Sequence, residues 1–229
     1  MRTLLPISVG LAALLSLDLL ASHGAAPASM SREAVVERLV TPDARPLVQY
    51  RALRYLTAAT RGGRMAGELV AATTFDEHGL RWEVLAEQGS SLIRRRVLRA
   101  ALEAEQEGQS ASNRDHGALS PANYEFLDVS VADDLVRLEM KPRRKHPLLI
   151  DGALFFDPQT TDLVRLEGEP SKRPSFWTRR ARIVRDYGRI HGVRVPVFMR
   201  STADVLLVGA SSFSMAYDYV EINGQPIAR

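Results

Sequence analysis

The stretch RIVRDYGRIHGVRVPVFM, Arg182 to Met199, decides how this chain is read. Two runs rich in β-branched and aromatic residues flank the polar link Gly188-Arg189-Ile190-His191-Gly192, a pattern that predicts a long antiparallel hairpin. Its surroundings repeat the signal: SFWTRRARIVRDY, VRVPVFMRSTADVLL and SSFSMAYDYVEI all read as long strands. A dozen residues at about 3.3 Å each span roughly 40 Å, so sheets built from them must curl. Over Ser211 to Ile222, alternation places Phe213, Met215, Tyr217 and Tyr219 on one face, with Ser212, Ser214, Ala216 and Asp218 on the other. Matching apolar faces run through Val195, Val197 and Met199, through Val136, Leu138 and Met140, and through Leu80, Trp82 and Val84.

Working outward, NYEFLDVSV, DLVRLEMKPRR, HPLLIDGALFFD and TDLVRLEGEP read as four further strands joined by Asp, Pro and Gly turns, Asp133-Asp134 among them. Residues 46–90 read as a three-stranded meander with turns at Arg61-Gly62-Gly63-Arg64 and Glu77-His78-Gly79. Two segments have helical periodicity. SREAVVERLV carries Val35, Val36 and Leu39 behind a capping Ser31, and SLIRRRVLRAALEAEQE carries Ile93, Val97 and Ala101 behind Ser90 and Ser91. GQSASNRDHGALS reads as a polar loop, and GASSF at Gly209 to Phe213 as a hairpin turn. Strands follow strands, which predicts an α+β fold with a mainly antiparallel sheet and two covering helices.

Residues 1–28 combine Arg2, a long apolar run and small residues around Ala26-Pro27-Ala28, the layout of a cleaved secretory signal. Asp18 inside the run argues against a permanent membrane helix, because a carboxylate near the middle of a spanning helix costs roughly 2.5 to 3.5 kcal/mol. The expectation is a periplasmic protein with one mature domain, residues 29–229. The chain has no cysteine, so it has no disulfide, no thiolate metal site and no lipoprotein anchor of its own. At 229 residues and 45% apolar content it holds enough material for a core, and a net charge of +3 is too small and too scattered for a nucleic-acid binder.

Catalytic signatures are not evident. His78, His116, His146 and His191 fall in turns or loops without metal-ligand spacing, and GASSF lacks the final glycine of a nucleophile elbow. The expectation is a non-enzymatic, monomeric protein with no cofactor and no metal. An apolar sheet face larger than its helical cover predicts a groove for an apolar guest. Trp82, Phe156, Trp177, Phe213, Met215 and Tyr217 are the candidates for lining it, and Arg94, Arg95 and Arg96 the candidates for a head group or docking surface. The alternative is a protein-interaction or sensor module whose cavity is filled.

The order of elements, together with DGALFFDPQTTDLVRLEG, RPSFWTRRARIVRDYGRIHGVRVPVFM and FSMAYDYVEING, resembles the bacterial outer-membrane lipoprotein-sorting superfamily, the LolA-like carriers. The resemblance covers about Val48 to Gly224 and is strongest from Gly152 onward. It implies an unclosed barrel of about eleven antiparallel strands, helices over the concave face as a lid, and a hydrophobic cavity that holds acyl chains of a lipid or lipoprotein. It also implies an arginine that locks the lid, for which Arg51, Arg54 and Arg64 are candidates, and it leaves room for a membrane-protein partner on either side of the periplasm.

Overall fold

The computed structural model describes residues 31–41, 43–172, 178–205 and 209–228. The expected leader and Trp177 lie outside the described residues. The hairpin that opened the reading is β8 (Thr178–Ile190) and β9 (Val193–Val205). Its turn is tighter than the polar link suggested. Only His191 and Gly192 are outside the strands, both with positive φ (52° and 78°), so Gly188 to Ile190 belong to β8. A two-residue turn with left-handed backbone at both positions matches the twist of the strands it joins.

Upstream lie α1 (Arg32–Val40), β1 (Tyr50–Thr60), β2 (Met65–Asp76) and β3 (Gly79–Gly89). A helical connection follows: α2 (Ser91–Ile93), a π-helical turn (Arg94–Arg99), α3 (Ala100–Gly108) and α4 (Ala111–Gly117). Strands β4 (Tyr124–Ala132), β5 (Leu135–Pro142), β6 (Ile150–Phe156) and β7 (Leu163–Pro170) precede the hairpin, and β10 (Gly209–Ile222) and the short β11 (Gln225–Pro226) follow it. Every pairing is antiparallel, in the order β3-β2-β1-β10-β9-β8-β7-β6-β5-β4, with β11 on β10. The sheet stays open at β3 and β4 and forms a curved half-barrel.

Strands β3 and β4 are consecutive among the strands yet occupy opposite edges. A chain that leaves one edge and returns at the other must cross a face, which makes the 90–123 connection a lid by topology. Ser31 caps α1 as expected, its Oγ accepting from the amide of Ala34 at 3.2 Å. Ser90 sits at the N-cap of α2 but its side chain makes no capping bond. Two further expectations are corrected. The 111–117 segment of the supposed loop is helix α4, held by Asn123, whose buried amide donates to the carbonyls of Asp115 and Ala118 at 2.8 Å each. Such side-chain donors satisfy carbonyls left free at a helix C-terminus. GASSF is the start of strand β10, not a turn. The Asp133-Asp134 turn is as expected, with φ of 51° and 60°.

Two core clusters sit between sheet and helices. One joins β1, β2, β3, β9 and β10 to Ile93, Leu98 and Leu102 of the lid; the other joins β4 to β7 to Val35 and Leu39 of α1. Burying a side chain of this size completely is worth about 1.5–3 kcal/mol, so each helix is held mainly by a few aliphatic residues. Among the described residues, no helix is long and apolar enough to cross a membrane.

Candidate ligand-binding site

Strand register fixes which side chains share the inner face. Read across the sheet, one row runs Glu87, Leu69, Leu56, Met215, Met199, Arg185, Leu166, Leu154, Leu138, Val129, touching every strand except β11. The row one residue away faces outward: Gln88, Glu68, Thr57, Ser214, Arg200, Val184, Glu167, Ala153, Glu139. Alternation along each strand therefore adds up to one largely apolar surface and one mostly polar surface, in which Val184 and Ala153 are nonetheless buried. The inner row carries two charges. Glu87, at the β3 edge, is neutralised by the lid, while Arg185 lies in the middle.

The lid is fastened to this face by polar contacts of three kinds. Glu87 accepts from Arg94 Nη1 at 2.5 Å and from Arg99 Nη2 at 2.9 Å. The π-helical turn makes this possible, because its wider winding brings residues five apart to the same side. Trp82 Nε1 donates to Gln106 Oε1 at 3.1 Å. The third contact is Arg54, which is fully buried on β1 and donates from Nη1 to Glu105 of α3 and from Nη2 to the Tyr50 hydroxyl at 2.6 Å. Its guanidinium lies 4.6 Å from the centre of the Tyr217 ring, a cation–π arrangement. Burial works against the charge of Arg54, but Glu105, with Tyr50 and Tyr217, holds its pKa above the ordinary arginine value. Burial likewise pushes the Tyr50 hydroxyl up to about 12 and that of Tyr217 higher still.

The three arginines singled out in the sequence differ in placement. Arg51 is exposed and pairs with Glu221 at 2.7 Å, Arg64 is exposed in the β1–β2 turn, and Arg54 joins floor to lid. Alternation gave a usable signal for it, since Tyr50, Ala52, Arg54, Leu56 and Ala58 share the inward side of β1.

Of the six candidate lining residues, Phe156, Met215 and Tyr217 are buried on the inner face, and Trp82 and Phe213 are partly buried against the first cluster. Of the candidate docking arginines, Arg95 and Arg96 are exposed, whereas Arg94 turns inward to Glu87. Between the two clusters the cover thins. Tyr187, Val197, Met199, Phe213 and Arg185 all keep intermediate exposure, defining a strip over β8 and β9.

Pockets on the described surface include three whose linings hold none of the candidate aromatic residues. One of about 630 Å³ lies at the β1–β2 turn and the ends of β8 to β10, among Thr60, Glu169, Arg180, Arg182 and Asp204. Another of about 600 Å³ lies between α1 and β4, against Val36, Tyr124, Phe126 and Arg143. A third, of about 180 Å³, lies on the outer face beside Glu167, Arg182 and Arg200. Among the described residues, no group of histidine and acidic side chains is arranged to hold a metal; His116 and His146 approach each other at 5.6 Å between ring centres.

The chain matches no protein-family model and no characterised protein sequence. Among solved structures, it is similar to the crystal structure of a DUF1329 family protein from Desulfovibrio piger, at 12% identity over 82% of this chain and 90% of that one, with a TM-score of 0.41.

Proposed function

We propose that this protein is a non-catalytic periplasmic carrier of the LolA-like kind, which holds an acyl chain of a lipid or lipoprotein between the inner sheet face and the 91–108 lid. The observation that carries the reading is the largely apolar inner face of the sheet, half of it beneath a lid fastened by Arg54, Glu87 and Trp82. Moving about ten methylenes onto such a face is worth on the order of 8 kcal/mol at roughly 0.8 each. That suffices for useful affinity without a covalent bond. The described conformation is the closed one, and loading requires the lid contacts to part.

The second reading, an interaction module whose interior is permanently filled, is favoured by the burial of Phe156, Met215 and Tyr217 within the two core clusters. One experiment separates the two. The purified mature chain is mixed with a fluorescent long-chain fatty acid, and lipid co-purifying from the periplasm is sought by native mass spectrometry. Saturable uptake that an unlabelled acyl chain displaces is the expected result. No uptake and no bound lipid would leave the interaction module as the function.

A further inference from the structure

Three guanidinium Nε atoms are buried without a hydrogen-bond partner, those of Arg54, Arg94 and Arg185. Arg54 and Arg94 each answer a carboxylate through another nitrogen, Glu105 and Glu87 respectively. Arg185 differs. Among the described residues it forms no ion pair; its Nη2 donates to the Met199 sulfur at 3.6 Å, and its remaining side-chain partner is the neutral phenol of Tyr187. Thioethers are weak acceptors. Glu105 is near enough to act on both Arg54 and Arg185, so the inner face holds two guanidiniums against one shared carboxylate. A largely desolvated guanidinium with one nitrogen unanswered and only weak acceptors beside the others is costly, and arginine does not escape the cost by losing its proton.

The position of this surplus charge is informative. Arg185 lies between Met199 and Leu166 in the inner row, at the seam between the two core clusters and within the strip that keeps intermediate exposure. A negative group arriving there would meet a fixed guanidinium, with aliphatic surface leading away on either side. We propose that Arg185 anchors the carboxylate of a free long-chain fatty acid, whose tail lies over Met199, Val197 and Phe213. This rests on the carrier reading and narrows its cargo from any acyl chain to an acyl anion. The guanidinium fork suits a carboxylate, to which it donates through two parallel N–H groups.

The test compares oleate with oleyl alcohol, which has the same tail and no charge, by calorimetry on the mature protein. Oleate is expected to bind roughly tenfold to a hundredfold more tightly, the range of a hydrogen bond to a charged group. Arg185→Met keeps the volume and removes the charge, and should bind both ligands at the alcohol's affinity while its ligand-free melting temperature stays level or rises. Equal binding of oleate and the alcohol by the unaltered protein would overturn the anchor and leave the carrier intact. Discrimination that persists in Arg185→Met would also overturn it. Failure of both ligands to bind would remove the carrier reading and the anchor together.

Discussion

The guanidinium of Arg54, on the floor of the sheet, donates to the carboxylate of Glu105 on the helix above it, and no solvent reaches the arginine side chain while 18% of the glutamate side chain stays exposed. The asymmetry makes the two partners unequal targets. Glu105→Gln strands a buried cation, and removal of one member of a buried pair costs about 3–5 kcal/mol; the partial exposure of Glu105 puts the expected loss near the lower end. Arg54→Met leaves a carboxylate that water can reach, and fills the hole with an apolar chain, so it should cost less. Urea denaturation of the two variants checks the order. Both should also take up an acyl probe faster than the unaltered chain, because each removes a lid fastener.

The first helix has a clamp of its own. Arg189 donates to Asp162 from Nε at 2.6 Å and Nη2 at 2.5 Å, and to Asp43 at 3.1 Å, while Arg38 of α1 lies 3.5 Å from Asp162. The Arg189 hydrogen bonds hold the Asp162 carboxyl below its usual range, outweighing partial burial. A carboxylate with a depressed folded-state pKa adds stability that is complete above its unfolded value, about 3.9, and is lost as pH falls through the folded value. Asp162→Asn should therefore be less stable than the unaltered chain at neutral pH, with the gap narrowing below about pH 4. Melting temperatures between pH 7 and pH 2.5 give the comparison, and a gap that stays constant to the acid end would contradict the assignment.

Alternation made much of the inner face legible in the sequence. Phe213, Met215, Tyr217 and Tyr219, with the faces traced through Val195, Val136 and Leu80, all point into the two clusters. The inward positions of Arg54 and Arg185 were not read from the sequence, because a charge at an inward position reads as noise until its neighbours are known. Glu105 reaches Arg54 across 51 residues, and β1 meets β10 with Leu56 opposite Met215. Long-range pairings of this kind leave no mark in a local window. Helix α4 escaped because ASNRDHG has no apolar period and depends on Asn123 from outside itself. The π-helical turn likewise goes with a tertiary contact, since Arg94 and Arg99 both meet Glu87 of a neighbouring strand.

That contact separates three adjacent arginines that look alike in sequence. Reversing the charge of the exposed Arg95 and Arg96 together should shift stability by less than about 0.5 kcal/mol, as surface changes generally do. Arg94→Glu instead sets a second carboxylate against Glu87 and leaves Arg99 as the sole partner. Its expected cost is about 1 kcal/mol or more. Chemical denaturation of the two variants measures the difference, and equal losses would mean that the Arg94 contact contributes nothing to the lid.

Strands β6 and β7 meet at Gly152 and Gly168, which face each other in register. A Cβ on Gly152 would stand 2.0 Å from the carbonyl oxygen of Glu167 and 2.6 Å from the Gly168 Cα, and both obstacles are backbone that no rotamer change can move. Gly152→Ala can be accommodated only by parting the two strands two residue pairs away from the inner row, where Leu154 faces Leu166. Overpacking of this kind costs about 1–3 kcal/mol, and a chain of this size loses roughly 2–4 °C of melting temperature per kcal/mol. Gly188→Ala supplies the control, because its Cβ would meet only the Val197 side chain, at 3.2 Å, which has room to yield. The first variant should melt several degrees lower than the second. It should also hold an acyl probe more weakly, since parting β6 from β7 breaks the apolar surface at its middle, and near-equal melting points would show that the β6–β7 contact is looser than the glycine pair implies.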